Sequence, residues 1–115
     1  MEKQYFGVYL EPIKGSFVGL DVLEGIFEEE GSARNHCVEC SGLPIVRPLG
    51  IDSKKEILHL EGYKLTPFRD MSKGSVWLFD FKQSARYINQ QGYSMVKVSG
   101  EEIVEELGLV EKLGG

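Results

Sequence analysis

The residue types best suited to chemistry gather in one stretch. His36, Cys37, Cys40 and His59 are all of the cysteine and histidine in the chain, and they lie within 24 positions. A Cys-x-x-Cys turn brings two thiolates toward one tetrahedral ion, so Cys37, Cys40 and His59 form a candidate zinc set. His36 is a poor fourth ligand, because adjacent side chains seldom reach the same ion. A full structural zinc site pairs two such modules, and only one is present. The same pair reads alternatively as a thiol-redox site. That chemistry wants the first cysteine at a helix N-terminus, where the dipole lowers the thiol pKa. Ser41-Gly42-Leu43-Pro44 follows instead and does not continue a helix. The plainest reading is two small buried thiols and two ordinary histidines.

A second group is basic and aromatic. Tyr63, Lys64, Arg69, Lys73, Trp77, Lys82, Arg86 and Tyr87 follow one another within 25 residues. Lys82 and Arg86 are four apart on an expected helix and share a face. With Arg69 they can hold a phosphate or carboxylate, while Tyr63 or Trp77 stacks on a ring. This makes Tyr63, Arg69, Trp77, Lys82 and Arg86 the candidate site for a small anionic ligand. The competing reading is a solvated helix face beside a core tryptophan.

No catalytic residues are assigned. Asp70 and Asp80 have no partner set by spacing, and Asp80 is better explained as a helix cap. The chain contains no dinucleotide or phosphate-binding glycine loop, no G-x-S-x-G and no H-E-x-x-H. The balance leans away from an enzyme. The favoured function is a small non-catalytic binding or regulatory protein recognising a protein partner or a small anionic ligand. A zinc-binding protein, and a small thiol-redox or hydrolytic enzyme, are the alternatives. A protein partner would meet the aromatics of the first strand, Tyr5 and Tyr9, or the acidic ends. The oligomeric state is left open, a homodimer included.

Charge narrows the field. Residues 1–30 carry −5, residues 31–97 carry +4 and residues 98–115 carry −4, for a net charge of −5. Overall acidity opposes non-specific binding to nucleic acid or to an anionic membrane, which needs many cationic contacts. No run reaches the ~18 apolar residues of a membrane span. The opening Met1-Glu2-Lys3-Gln4-Tyr5 does not resemble a secretory signal, so a cytoplasmic protein with reduced thiols is expected.

The elements that must position these groups fit one domain spanning 1–115, since 115 residues suit a single core. A strand is expected near Tyr5–Leu10, with Phe6, Val8 and Leu10 on one face. Residues 17–27 are ambiguous between strand and helix. The preferred division is a strand to Leu20, then a short helix capped by Asp21 that buries Leu23, Ile26 and Phe27 and ends at Glu28–Glu30. Residues 31–52 read as an irregular stretch, whose prolines exclude a central strand or a helix interior, and the path of residues 31–56 is left open. Glu56–Leu60 and Tyr63–Leu65 read as strands.

The last forty residues are clearer. Val76–Phe79 is a strand apolar on both faces, hence central. Asp80 opens a helix with a Phe81, Ala85, Ile88 stripe, and Gly92 stops it. Met95–Val98 is a strand, and Ser99 with Glu102 forms a capping box before a helix carrying Ile103, Leu107, Val110 and Leu113. No internal repeat is visible. The expected fold is α+β: a small mixed sheet of about five strands, with two to three helices packed mainly on one face.

Overall fold

A computed structural model describes residues 4–10, 22–39, 44–50 and 53–109. It is an α+β fold with one six-stranded sheet. The elements in chain order are β1 (Phe6–Leu10), β2 (Val22–Phe27), α1 (Glu30–Glu39), β3 (Pro44–Pro48), α2 (Lys54–Leu58), β4 (Glu61–Pro67), a 3-10 turn (Met71–Lys73), β5 (Val76–Leu78), α3 (Phe81–Gln91), β6 (Tyr93–Ser99) and α4 (Gly100–Leu107).

The strand order is β3-β1-β2-β5-β4-β6, and every pairing is antiparallel. The sheet is therefore not mixed, and it has one strand more than expected. β5 and β6 do run the same way, but β4 lies between them and pairs with both. The helices cover both faces rather than mainly one. On one face Ile57 of α2 and Ile103, Val104 and Leu107 of α4 close over Tyr9, Leu23, Ile26, Trp77 and Val98. On the other, Ala33 of α1 and Tyr87 of α3 close over Val8, Phe27, Leu65, Val76, Leu78 and Tyr93. Two covered faces explain why β5 is buried at all three positions.

The strand order is palindromic. Each half is a hairpin, a helix on one face, a strand that returns beside the first hairpin strand, and a helix on the other face. The halves meet where β2 pairs with β5, and Ile26 faces Trp77 at the centre of that seam. One separation, 51 positions, relates Ile26 to Trp77, His36 to Tyr87 and Glu30 to Phe81. The sequence hides this repeat because the matched residues share burial and not identity.

Three segments differ from the sequence reading, each for a local reason. Residues 22–27 are a strand and not a helix. Val8 faces Gly25 while Tyr9 faces Leu23, so Glu24 is an extra residue, a β-bulge. The bulge puts Leu23 and Ile26 on one face at a spacing of three, which imitates a helical stripe. The strand expected for Glu56–Leu60 is instead α2, with Ile57 buried and Leu58 and His59 exposed. Lys54-Lys55-Glu56 is good helix-forming sequence, and there is no alternation. The irregular stretch after Gly31 contains α1. Its inward side chains are Ala33, His36 and Cys37, too small or polar to make an apolar stripe. Glu28 to Glu30 lead into that helix rather than ending one, which puts acid at its positive end. The strand expected for 17–20, and Val110 and Leu113, lie outside the described residues.

The end signals behave as read. Asp80 Oδ1 accepts from Lys82 N at 2.8 Å. Gly92 takes the left-handed conformation at φ 72°. Ser99 and Glu102 make both bonds of the capping box. Gly108 departs from the reading: it takes the left-handed conformation at φ 70° and ends α4 at Leu107, short of the stripe expected to run on to Leu113. In α3, however, the buried residues are Ser84 and Tyr87, while Phe81 is exposed and packs its ring against Tyr63.

Gly100 packs without a side chain against the backbone of the other half. A β-carbon there would overlap the Ile57 carbonyl oxygen and lie 2.8 Å from that of Leu60, so α4 sits directly on the end of α2. Backbone cannot rotate away as a side chain can. Gly100→Ala is expected to cost about 2 to 4 kcal/mol, as for overpacking that moves backbone. Gly31→Ala, where a β-carbon meets nothing within 4 Å in a helix, should be neutral or stabilise by up to about 1 kcal/mol. Urea unfolding of the two variants checks both; equal effects would refute the close approach.

Candidate functional site

Where the two halves meet on the α1 and α3 face, His36 and Tyr87 touch. His36 Nδ1 and the Tyr87 hydroxyl are 2.8 Å apart, and both residues are buried. The imidazole lies between two rings, with centroids 5.2 Å from Phe27 and 5.8 Å from Tyr87. Tyr87 in turn stands edge-on to Tyr93 at 5.2 Å. These contacts hold α1 and α3 at a fixed distance. A cavity of about 490 Å3 opens beside the pair, lined by Ser32, Asn35, His36, Val38, Lys73, Tyr87, Gln90 and Tyr93.

The lining is positioned from the backbone upward. Asp70 caps the 3-10 turn, its Oδ1 accepting from Ser72 N at 3.1 Å, and these bonds from Ser72 hold the carboxyl below its usual pKa. Ser32 Oγ donates to the Lys73 carbonyl at 3.1 Å and ties α1 to that turn. Ser75 N donates to Glu28 Oε2 at 2.7 Å just beyond it. Lys73 is thus pinned from both sides, and its ammonium makes no ion pair among the described residues. Burial, and then the Asp70 charge, push the Tyr93 phenol pKa up, so it remains a neutral hydrogen-bonding group at physiological pH.

A second polar group lies at the start of α3, where Glu24, the extra residue of the bulge, interacts with Gln83 and Asp80. Burial raises the Glu24 pKa, Gln83 opposes this, and the Asp80 charge adds to it.

The residues expected to form an anion site are not gathered. Trp77 is 1% exposed and lies on the opposite face of the sheet, with α2 and α4. Lys64 stands over its ring and is bonded to Glu106. Tyr63 is half-buried beside Phe81 at the start of α3. Lys82 and Arg86 are exposed on α3, and Arg69 is exposed and leans on Phe68. Only Lys73 and Tyr87 of the wider basic and aromatic group reach the cavity. Its remaining residues carried little signal: Ser32, Asn35 and Gln90 are ordinary helix-surface types.

Cys37 sits on α1 against one face of the sheet, while His59 caps α2 against the other, so the two are apart. Cys40 lies outside the described residues. Among the described residues no group of three metal-ligating side chains comes together. Burial raises the Cys37 thiol pKa, with Arg34 opposing, so the thiol form is favoured over the thiolate. Tyr5 and Tyr9, read as a partner surface, belong to the core. Tyr5 packs edge-on against Trp77 at 5.8 Å, and the Tyr9 hydroxyl is 2.7 Å from Ser53 Oγ.

The chain matches no protein-family model, no curated protein and no solved structure with which it was compared.

Two variants test this arrangement. Tyr87→Phe removes the hydroxyl facing His36 in a buried setting and is expected to cost about 1 to 3 kcal/mol in thermal or urea unfolding. Glu24→Gln probes the polar group at the start of α3. The folded-state pKa of Glu24 lies above the unfolded one, so its contribution favours folding below the carboxylate range and is lost as pH rises through it. Glu24→Gln should therefore stabilise by up to about 1 kcal/mol near pH 7 and give no gain near about pH 4. The same gain at both pH values would show that protonation of Glu24 is not the cause.

Proposed function

We propose that the protein is a non-catalytic binding or regulatory protein of the cytoplasm that holds a small anionic ligand in the cavity between α1 and α3. One observation carries this reading: the cavity combines ligand-sized volume with a single lining cation, Lys73, which feels the Asp70 charge but makes no ion pair among the described residues. Ser32, Asn35, Gln90 and the neutral phenol of Tyr93 surround it with groups that donate and accept hydrogen bonds. The imidazole of His36 is held against Tyr87 and Phe27, which suits a wall better than a proton shuttle.

Charge supports a discrete pocket rather than a binding surface. The chain is acidic overall, so a polyanion is disfavoured while one carboxylate or phosphate group is not. Among the described residues no helix is long and apolar enough to cross a membrane.

Native mass spectrometry of the purified protein, followed by calorimetry with a panel of small carboxylates and phosphates, tests the reading. Lys73→Gln should weaken binding about tenfold, the loss of one charge-assisted bond, and leave unfolding within about 0.5 kcal/mol. No binding to any anion of the panel, or equal affinity in the variant, would overturn it.

A further inference from the structure

The two edges of the sheet are matched by the palindromic topology but differently protected. β3 is bracketed by Pro44 and Pro48, and Arg47 lies over the Tyr9 ring at 4.2 Å. Prolines remove donors and block the approach of another strand. β6 at the opposite edge has seven residues, Tyr93-Ser94-Met95-Val96-Lys97-Val98-Ser99, and no proline. It pairs only with β4 among the described strands. Its midpoint, Val96, is 61% exposed.

We propose that the free edge of β6 pairs antiparallel with β6 of a second copy about Val96, joining two six-stranded sheets into one. The segment is self-complementary in this register. Val96 meets Val96 of the partner copy, so the exposed apolar side chain is covered by its own twin. Ser94 falls opposite Val98, and Met95 opposite Lys97. The one charge on the strand thus faces a neutral side chain and never its own copy. Lys97 would ordinarily guard an edge, but its Nζ is turned to Glu61 of the neighbouring strand at 3.8 Å. A two-fold axis through Val96 makes the contact isologous and closed. It repeats between copies what Ile26 and Trp77 do within one, where β2 meets β5.

The contact is a single strand pair, so the dimer is reversible. Sedimentation of the native protein should move from the protomer mass to twice that mass as concentration rises. Val96→Lys and Val96→Glu place like charges opposite one another at the axis, and each alone should stay at the protomer mass. An equimolar mixture of the two should recover the doubled mass. Cysteine variants check the register independently of those substitutions, in a background with Cys37→Ser and Cys40→Ser. Val96→Cys should give a disulfide-linked dimer under mild oxidation. Lys97→Cys should not, because its two copies lie ~8 Å apart, beyond the reach of a disulfide. A native protein at the protomer mass up to its solubility limit would overturn the proposal. So would Val96→Lys that still dimerises, or a mixture that fails to associate. These readouts do not depend on what the cavity binds.

Discussion

The hydrogen bond between His36 and Tyr87 is the contact on which the rest of the α1 and α3 layer depends. An imidazole and a phenol buried without partners would each cost about as much as a lost hydrogen bond. At 2.8 Å the His36 Nδ1 and the Tyr87 hydroxyl satisfy one another where two helices from different halves of the chain must meet. A pair of leucines could fill the same space, but they would not set a distance and an angle. The polar pair does, and the cavity beside it inherits its width from that spacing.

The two halves differ where the repeated topology would make them alike. The bulge in β2 sets Glu24 near Gln83 and Asp80. The 3-10 turn between β4 and β5 brings Lys73 to the open cavity. The sheet edges diverge in the same manner, one closed by prolines and the other, β6, paired only with β4 among the described strands. The core positions related by 51 residues keep their burial, as Ile26 and Trp77 do. The features that differ between the halves are thus at the surface and at the cavity.

The legible parts of the chain were those where one residue type has one use. Asp80, Gly92, Ser99 with Glu102, and the doubly apolar Val76–Leu78 were all read correctly, because caps and central strands leave direct chemical marks. Residues 22–27 were misread because a single extra residue in a strand turns alternation into a spacing of three. α1 was missed because its inward face is Ala33, His36 and Cys37, whose pairing with Tyr87 and Phe27 is purely tertiary. The anion site failed for a related reason. Tyr63 and Trp77 are 14 positions apart and on adjacent strands, yet they face opposite sides of the sheet. Lys73 had been grouped with the basic residues, but only the turn that Asp70 caps brings it to the cavity.

The seam between β2 and β5 has a kinetic meaning. It joins Gly25, Ile26 and Phe27 to Leu78, Trp77 and Val76, with one further backbone bond from Glu28 N to the Ser75 carbonyl. Every other strand pairing links residues of the same half and spans a shorter stretch of chain. The seam therefore asks for the longest loop closure in the sheet and returns few backbone hydrogen bonds. Each half can assemble its own three strands first, with the seam forming last and opening first. In native-state hydrogen exchange, the two halves would then emerge as separate foldons hinged on the short β2–β5 pairing, and Gly100 against Ile57 would be the latch that holds them shut.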